Sequence, residues 1–582
     1  MLRKRKTIQM VEKIFIKKKI LWYLAISIIT SIILFWKCKY GYATLDEAFY
    51  PTIANRFLQG DRILCDEWNN SQLSALVIMP FLKLYKLATG GYEGVYLYLR
   101  YAYTVLKIVM TIGIYYGVKK FGEQKAVLTA FVFLIFSCHQ LMVISYNSIG
   151  IAGIIGFIIF LINADDTKKG FINLIFSGIS LSIAVLGIPY MAGMYILLIA
   201  AVILTGVIVK TESPIKKIYS IRSLIGITIG IILTVAVFIL YVLSRVSIAN
   251  VLDTIPYILN SDTAHEAKSL YQLTLAYVAR IVLYRKSIYI IGSYGAMLAW
   301  VILYYVLGIK KHRFSYQLYL KGTGVLGIGL LLVYRFVAAD EPNCFIFVPN
   351  VVAFLLWIFA EKNHRLNELF YCIWLPGVFC TYFEYLASNT GFSGISGFSI
   401  VAALGSIAII IEIIEQYWQY KVSRTLLCTF GMIIICLLAY YRITYVFWED
   451  GGIASLTNKI EYGVCKGLQV TDAEANTYYN ILADTAEIRG LSSDNRVLYI
   501  GDKILWMSSE QRCGCYSPLA YSITVTRDIL YKYYNEHPEM VAKAMYIQDG
   551  MGDESMINEI ADHFGYEIKK GKAGWILGAA DE

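Results

Sequence analysis

From residue 21 to residue 447 the chain is a succession of apolar runs separated by short polar loops. Many of the runs are about 17–22 residues long, enough for a helix to cross a hydrocarbon core of ~30 Å. Run length and loop charge together predict about thirteen spans. They lie near residues 20–36, 100–117, 126–144, 148–163, 172–188, 191–209, 222–243, 287–308, 323–338, 343–360, 368–386, 396–414 and 426–447. Two loops on one side are long, residues 37–99 and 244–286, and both are rich in aromatic and aliphatic residues. Residues 73–87 are apolar but short, and they contain Pro80, Lys83 and Lys86. Counting them as a span would reverse the side of every later loop, so they are expected to form a helix lying in or near the interface. After residue 450 the pattern changes. Residues 497–500, 545–547 and 574–577 read as strands, and residues 473–489 and 527–534 as helices, which predicts a small α/β domain.

Composition agrees with this pattern. The chain has 582 residues, of which 58% are hydrophobic and 16% charged, and its mean hydropathy is +0.57. A soluble globular chain carries about 25% charged residues. The net charge of +10 would suit a nucleic-acid partner, but its placement excludes that reading. All of the surplus lies before residue 450, in the loops, and beyond it acids outnumber bases by about eight. With the N-terminus inside, the inner loops hold Lys119, Lys120 and Lys125; Lys168 and Lys169; Lys210, Lys216, Lys217 and Arg222; Lys310, Lys311, Arg313 and Lys321; Lys362 and Arg365; Lys421 and Arg424. The short outer loops at 145–147, 187–190, 339–343 and 387–394 have no Lys or Arg, as the positive-inside rule requires. The expected fold class is therefore a polytopic α-helical membrane protein of the plasma membrane. A basic cytoplasmic N-terminus (1–19) precedes a transmembrane module (20–449) and an extracytoplasmic α/β domain (450–582). The basic stretch through Lys19 and the long first run, with no small-residue cleavage site after it, read as a retained anchor rather than a cleaved signal peptide. The eleven cysteines are scattered and form no metal cluster of the usual spacing. Pairing of Cys513 or Cys515 with Cys465 or Cys65 is left open by the sequence.

Candidate chemistry starts just after the first span, in Thr44–Asp61. Asp46 and Glu47 are adjacent acids, and Asp46, Tyr50, Ile53 and Phe57 recur at helical spacing. Thr44 or Asp46 can cap this helix, and Pro51 is tolerable only near its first turn. A carboxylate held at a membrane surface by a helix start is a candidate general base. The alternative is a capped surface helix with two solvated acids.

The pattern Asp-Glu-x-x-Tyr-x-x-x-Ala-x-x-x-x-x-Gly-Asp after a first span resembles the first outer loop of the GT-C glycosyltransferase superfamily. Within it, the branch of protein O-mannosyltransferases and lipid A aminoarabinose transferases is the most similar. Pro80 in an interfacial helix, the turn at Gly90–Gly94 and Arg100 opening the second span continue the likeness over about residues 40–105. Beyond that only topology matches. The resemblance implies a polyprenyl-phosphate sugar donor, a protein, glycan or lipid acceptor, and transfer with inversion on the outer face. It carries the catalytic acid over to Asp46 and its neighbour to Glu47. Inversion needs one base on the face opposite the leaving group, while the departing phosphate needs positive charge or a metal. Should a divalent magnesium or manganese ion serve, Asp46 with Asp66 or Glu67 would hold it. The chain departs from the branch where a Glu-Lys-Pro-Pro-like element is expected: it reads Asp66-Glu67-Trp68-Asn69-Asn70-Ser71-Gln72, without the phosphate-binding Lys.

Tyr50, Asp66, Glu67 and Arg100 are thus candidate substrate-binding residues. So are Arg280, Arg285 and Lys286, which stand on the outer side against the charge bias and can grip a lipid phosphate or simply snorkel. Arg335 is a further candidate; with Asp340 and Glu341 it flanks an outer turn and can equally fix two helices. His139 and Glu384 lie near outer span ends. Two other classes compete. A transporter or flippase of lipid-linked saccharide is expected to have internal repeats, and none is visible. A non-catalytic envelope assembly protein would suit the missing Lys.

Overall fold

The structure is a computed structural model. It describes residues 22–43, 45–138, 141–208, 213–260, 269–310, 315–338, 343–388, 391–447, 451–518 and 523–579. His139, Asp340 and Glu341 lie outside the described residues, as does the side chain of Asp46, whose backbone is helical.

Each of the thirteen expected positions carries helix. Among the described residues eight helices are long and apolar enough to cross a membrane: Val95–Phe121, Lys168–Gly187, Pro189–Ile208, Pro214–Leu243, Ile288–Ile309, Tyr316–Val337, His364–Ala387 and Lys421–Thr444. Trp22–Lys37, Tyr146–Ile162 and Cys344–Phe359 are apolar but shorter. Ile400–Gln416 is buried over most of its length, so it is a central helix wrapped by others. The rest leave large apolar side chains exposed along their outward faces, among them Val207, Leu240 and Phe336. Water would not tolerate such a belt, and lipid does. The protein is a polytopic α-helical membrane protein with an α/β unit at its C-terminal end.

Small residues let the helices approach. A Cβ placed on Gly178 would meet the Ile227 carbonyl oxygen at 2.1 Å, and Gly230 lies against it. This seats Lys168–Gly187 on Ile221–Leu243 through bare backbone.

One span differs from expectation. In place of 126–144, the helix Glu123–Ile135 has 13 residues and stops at Phe136, which turns extended at ψ 145. No Gly or Pro marks this stop. Its cause is tertiary: Lys107, buried within Val95–Val118, donates to the freed Phe136 carbonyl and rests its ammonium 4.7 Å over the Phe133 ring. At the Lys119–Lys125 end of the same helix, Lys120 pairs with Glu368, and Lys125 with Glu412 (3.0 Å) and Glu415. The first third of the bundle is thereby tied to its last helices.

The α/β unit is built on five strands: β1 Arg496–Ile500, β2 Arg512–Cys513, β3 Ala544–Gln548, β4 Tyr566–Lys570 and β5 Gly574–Ala579. Their order is β2-β1-β3-β5-β4, with β1 parallel to both of its neighbours and β5 antiparallel to both of its own. Helices Ile523–Glu536 and Glu554–Phe564 belong to this unit. The second of these helices, together with β2 and β4, went unread in the sequence. A separate helix, Asp472–Asp484, starts on a reciprocal Thr471–Glu474 capping box and packs on the bundle side. Between bundle and sheet lies the helix Leu45–Leu58, in one apolar cluster with Tyr96, Val464, Tyr478, Ile504 and Met507. Helix Ala75–Thr89 buries Ala75, Ile78 and Leu82 and exposes Leu84 and Leu87, the two-faced pattern expected of an interfacial helix.

Candidate functional site

The helix Leu45–Leu58 carries the acidic pair in its first turn, and every residue from Glu47 to Phe57 is buried. Pro51 lies inside it rather than near its start. It withholds the N–H that would bond the Glu47 carbonyl, and the close packing on all sides keeps the helix continuous.

Glu47 is clamped. The Arg100 guanidinium grips both its carboxylate oxygens, Nε to Oε1 at 2.5 Å and Nη2 to Oε2 at 2.7 Å. The same guanidinium donates to the carbonyls of Cys38 (2.7 Å), Tyr40 (3.1 Å) and Gly41 (3.0 Å). One side chain of the second span thus fixes the exit from the first helix and the entry to the next. From the other side Gln469 pins the strap through Gly41 N–H (2.9 Å) and Lys39 O (2.6 Å). Gly41 has φ +95, and a Cβ there would stand 2.6 Å from Val446, so only glycine fits.

Beside this clamp is a polar cavity of about 30 Å³, lined by Lys37, Gly41, Tyr42, Glu47, Arg100 and Arg442 together with residues of 141–142 and 445–447. Three basic side chains and one carboxylate therefore meet there. They come from the end of Trp22–Lys37, the start of Val95–Val118 and the end of Lys421–Thr444. Lys37, Arg100 and Arg442 are each 5% exposed or less. Lys37 donates to the Ile443 carbonyl at 3.1 Å, and among the described residues no carboxylate pairs with it. Buried cations call for anionic partners, so the recess suits an anionic oxygen. A whole sugar does not fit in it. Lys37 and Arg442 were not singled out in the sequence. The signal was there, a basic residue at the very end of an apolar run, but nothing local says that two such ends meet.

The far end of the same helix forms a joint with the α/β unit. Arg56, 1% exposed, reaches Asp61 (2.7 Å), Glu67 (2.8 Å), the Asp66 carbonyl (2.5 Å) and the Tyr533 hydroxyl (3.0 Å). Asp61 also receives Arg496 of β1 (2.9 Å) and Arg512 of β2 (3.1 Å). Burial raises the Asp61 carboxyl, but Arg56 and Arg496 outweigh it and hold it below the ordinary carboxylate value. Glu67 is pushed up by burial, against the pull of Arg56. Asp66 is held by Arg62 at 2.6 Å. Asp66 and Glu67 thus spend their carboxylates on guanidinium groups. Among the described residues, which leave out the Asp46 side chain, no group of three ligating side chains could hold a metal ion.

The remaining candidates lie apart from the recess lining. Tyr50 is buried, with its ring 5.3 Å from Tyr146. Arg280 lies over the Tyr385 ring and Arg335 over the Tyr441 ring. Arg285 donates to the Val337 carbonyl at 3.0 Å. Arg285 and Lys286 both adopt positive φ, 52 and 51, which non-glycine residues seldom do. All the cysteines are free thiols, so Cys465, Cys513, Cys515 and Cys65 form no disulfide.

By structure the chain is similar to the archaeal oligosaccharyltransferase AglB from Archaeoglobus fulgidus, in complex with an inhibitory peptide and a dolichol-phosphate. That match has 10% identity and a TM-score of 0.46, and covers 91% of this chain and 70% of that one. The chain is also similar to ArnT from Cupriavidus metallidurans bound to undecaprenyl phosphate, at 13% identity and a TM-score of 0.43, over 97% of this chain and 99% of that one. No family model and no curated protein sequence matches the chain.

Proposed function

We propose that the chain is a membrane glycosyltransferase that moves a sugar from a polyprenyl-phosphate donor to an acceptor, with inversion, at the end of the bundle beneath the α/β unit. The observation that carries this reading is the recess of Lys37, Arg100 and Arg442 beside Glu47. Glu47 spends both carboxylate oxygens on Arg100, which leaves Asp46 as the acid for the base role. The acceptor hydroxyl or amine attacks the anomeric carbon and gives its proton to Asp46. The bond from that carbon to the phosphate oxygen breaks, and the phosphate departs with the electron pair, unprotonated. Arg442 supplies positive charge that stabilises it and Lys37 a hydrogen bond, in place of the Lys missing after residue 67. Loop charges support a cytoplasmic N-terminus in the plasma membrane, with the site and α/β unit on the opposite face.

Mass spectrometry of envelope glycans from cells with and without the chain tests the reading. A sugar-modified species is expected to vanish on deletion and return with the wild-type chain; an unchanged glycan profile would overturn it. For the recess, Lys37→Met is expected to weaken binding of undecaprenyl phosphate about tenfold or more, because a hydrogen bond to a charged group contributes ~1.5–3 kcal/mol. Equal affinity in a titration of the purified protein would remove Lys37 from the donor site.

A further inference from the structure

We infer that the helix Ile248–Asn260 is a membrane-surface contact: it lies flat in the lipid leaflet facing the α/β unit and seats that unit on the bilayer. Ile248, Leu252, Ile255 and Leu259 are spaced to fall within an arc of roughly 60° on a 3.6-residue helix. All four are exposed, Leu252 at 61% and Leu259 at 73%. Asp253, Asn250 and Asn260 fall on the opposite side, and they too are exposed. The third side, with Thr254 and Ile258, is buried against protein. A helix with an apolar exposed face, a polar exposed face and a buried flank between them fits a lipid–water boundary.

The occupant of the apolar face follows from continuity. The chain reaches this helix four residues after the span Pro214–Leu243, whose Val237, Leu240 and Leu243 are exposed at that same end. The apolar row of Ile248–Asn260 thus extends a belt that lipid already covers. On the polar side Tyr257 stacks on Trp68 at 4.5 Å and 7°, and its hydroxyl donates to Glu536 at 3.0 Å. Lys532 lies 4.7 Å over the same ring. Trp68 in turn packs edge-to-face with the Tyr533 ring at 4.9 Å, and its backbone N–H donates to the Tyr516 carbonyl. The helix therefore stands between lipid and the helix Ile523–Glu536 of the α/β unit, touching the joint centred on Arg56.

The test uses the full chain in nanodiscs of phosphatidylethanolamine and phosphatidylglycerol, with the exposed Cys428 and Cys436 changed to Ser. Nitroxide labels are placed on Leu252→Cys and Leu259→Cys, and on Asp253→Cys and Asn260→Cys. At 252 and 259, collisions with oxygen are expected to exceed those with a water-soluble nickel chelate severalfold, with the opposite ratio at 253 and 260. Nickel access at 252 and 259 would overturn the inference. So would labels there shielded from both reagents, which would mean that protein covers the face. Because all four sites are exposed, the folded protein tolerates the labels; a near-infrared-dye thermal midpoint equal to that of the parent checks this for each variant.

Discussion

Asp46→Asn is expected to lower sugar transfer by about 10²–10⁴-fold, the range that a positioned general base contributes. The amide keeps the size of the side chain but cannot take the acceptor proton. Expression, topology and undecaprenyl phosphate binding should all survive, since none of them uses that proton. The neighbouring acid gives the contrast. Glu47 is 1% exposed and bound through both oxygens to Arg100, which also holds three carbonyls of the 38–41 strap. Glu47→Gln should therefore lower the unfolding temperature, where Asp46→Asn does not. Transfer assays beside thermal unfolding in detergent separate the two. Wild-type turnover in Asp46→Asn would end the assignment of the base. Loss of folding in Asp46→Asn with intact folding in Glu47→Gln would reverse the roles of the pair.

Arg56→Leu is expected to destabilise the protein by ~3–5 kcal/mol, the cost of removing one partner from a buried ion pair. Asp61 would keep Arg496 and Arg512, but Glu67, which is fully buried, would lose the only guanidinium that reaches it among the described residues. The stranded carboxylate, more than the lost attraction, sets the size of the effect. Hence the double variant Arg56→Leu with Glu67→Leu should recover a large part of the loss, although it removes more native contacts. Limited proteolysis of the α/β unit and thermal unfolding report both. A loss below ~1 kcal/mol in Arg56→Leu would mean that the joint behaves like a solvent-exposed pair.

Much of the bundle was legible because lipid imposes one rule along the whole chain: a run long enough to cross must be apolar, and its flanks must carry the charge asymmetry. That rule placed helix at every expected span. It did not foresee the stop at Phe136, because Ser137, His139 and Gln140 interrupt the apolar run without a Gly or Pro, and the cause is Lys107 on another helix. The site was half legible. Asp46 and Glu47 stood out as adjacent acids after a span, and the Gly60–Asp61 end of the motif stood out with them. What Asp61 does could not be read, since Arg496 and Arg512 lie more than four hundred positions away. Asp66 and Glu67 looked like second-site acids because sequence cannot tell a solvated carboxylate from one gripped by Arg62 or Arg56. Lys37 and Arg442 sit at opposite ends of the membrane module, and only folding brings them to one recess.

The helix Leu45–Leu58 touches the recess at one end and the joint at the other. At 1.5 Å per residue its 14 residues make a rod ~20 Å long. Packed on all sides, it has no slack with which to absorb a displacement. A tilt of ~3° about the Arg56 end would carry the first turn through ~1 Å, a misplacement on the scale that costs a reaction ~10²-fold. Mechanical tolerance at the acidic pair is therefore set by how firmly two arginines of a distant sheet hold one aspartate. Sequence drift in β1 and β2 should register as lost turnover before it registers as lost fold.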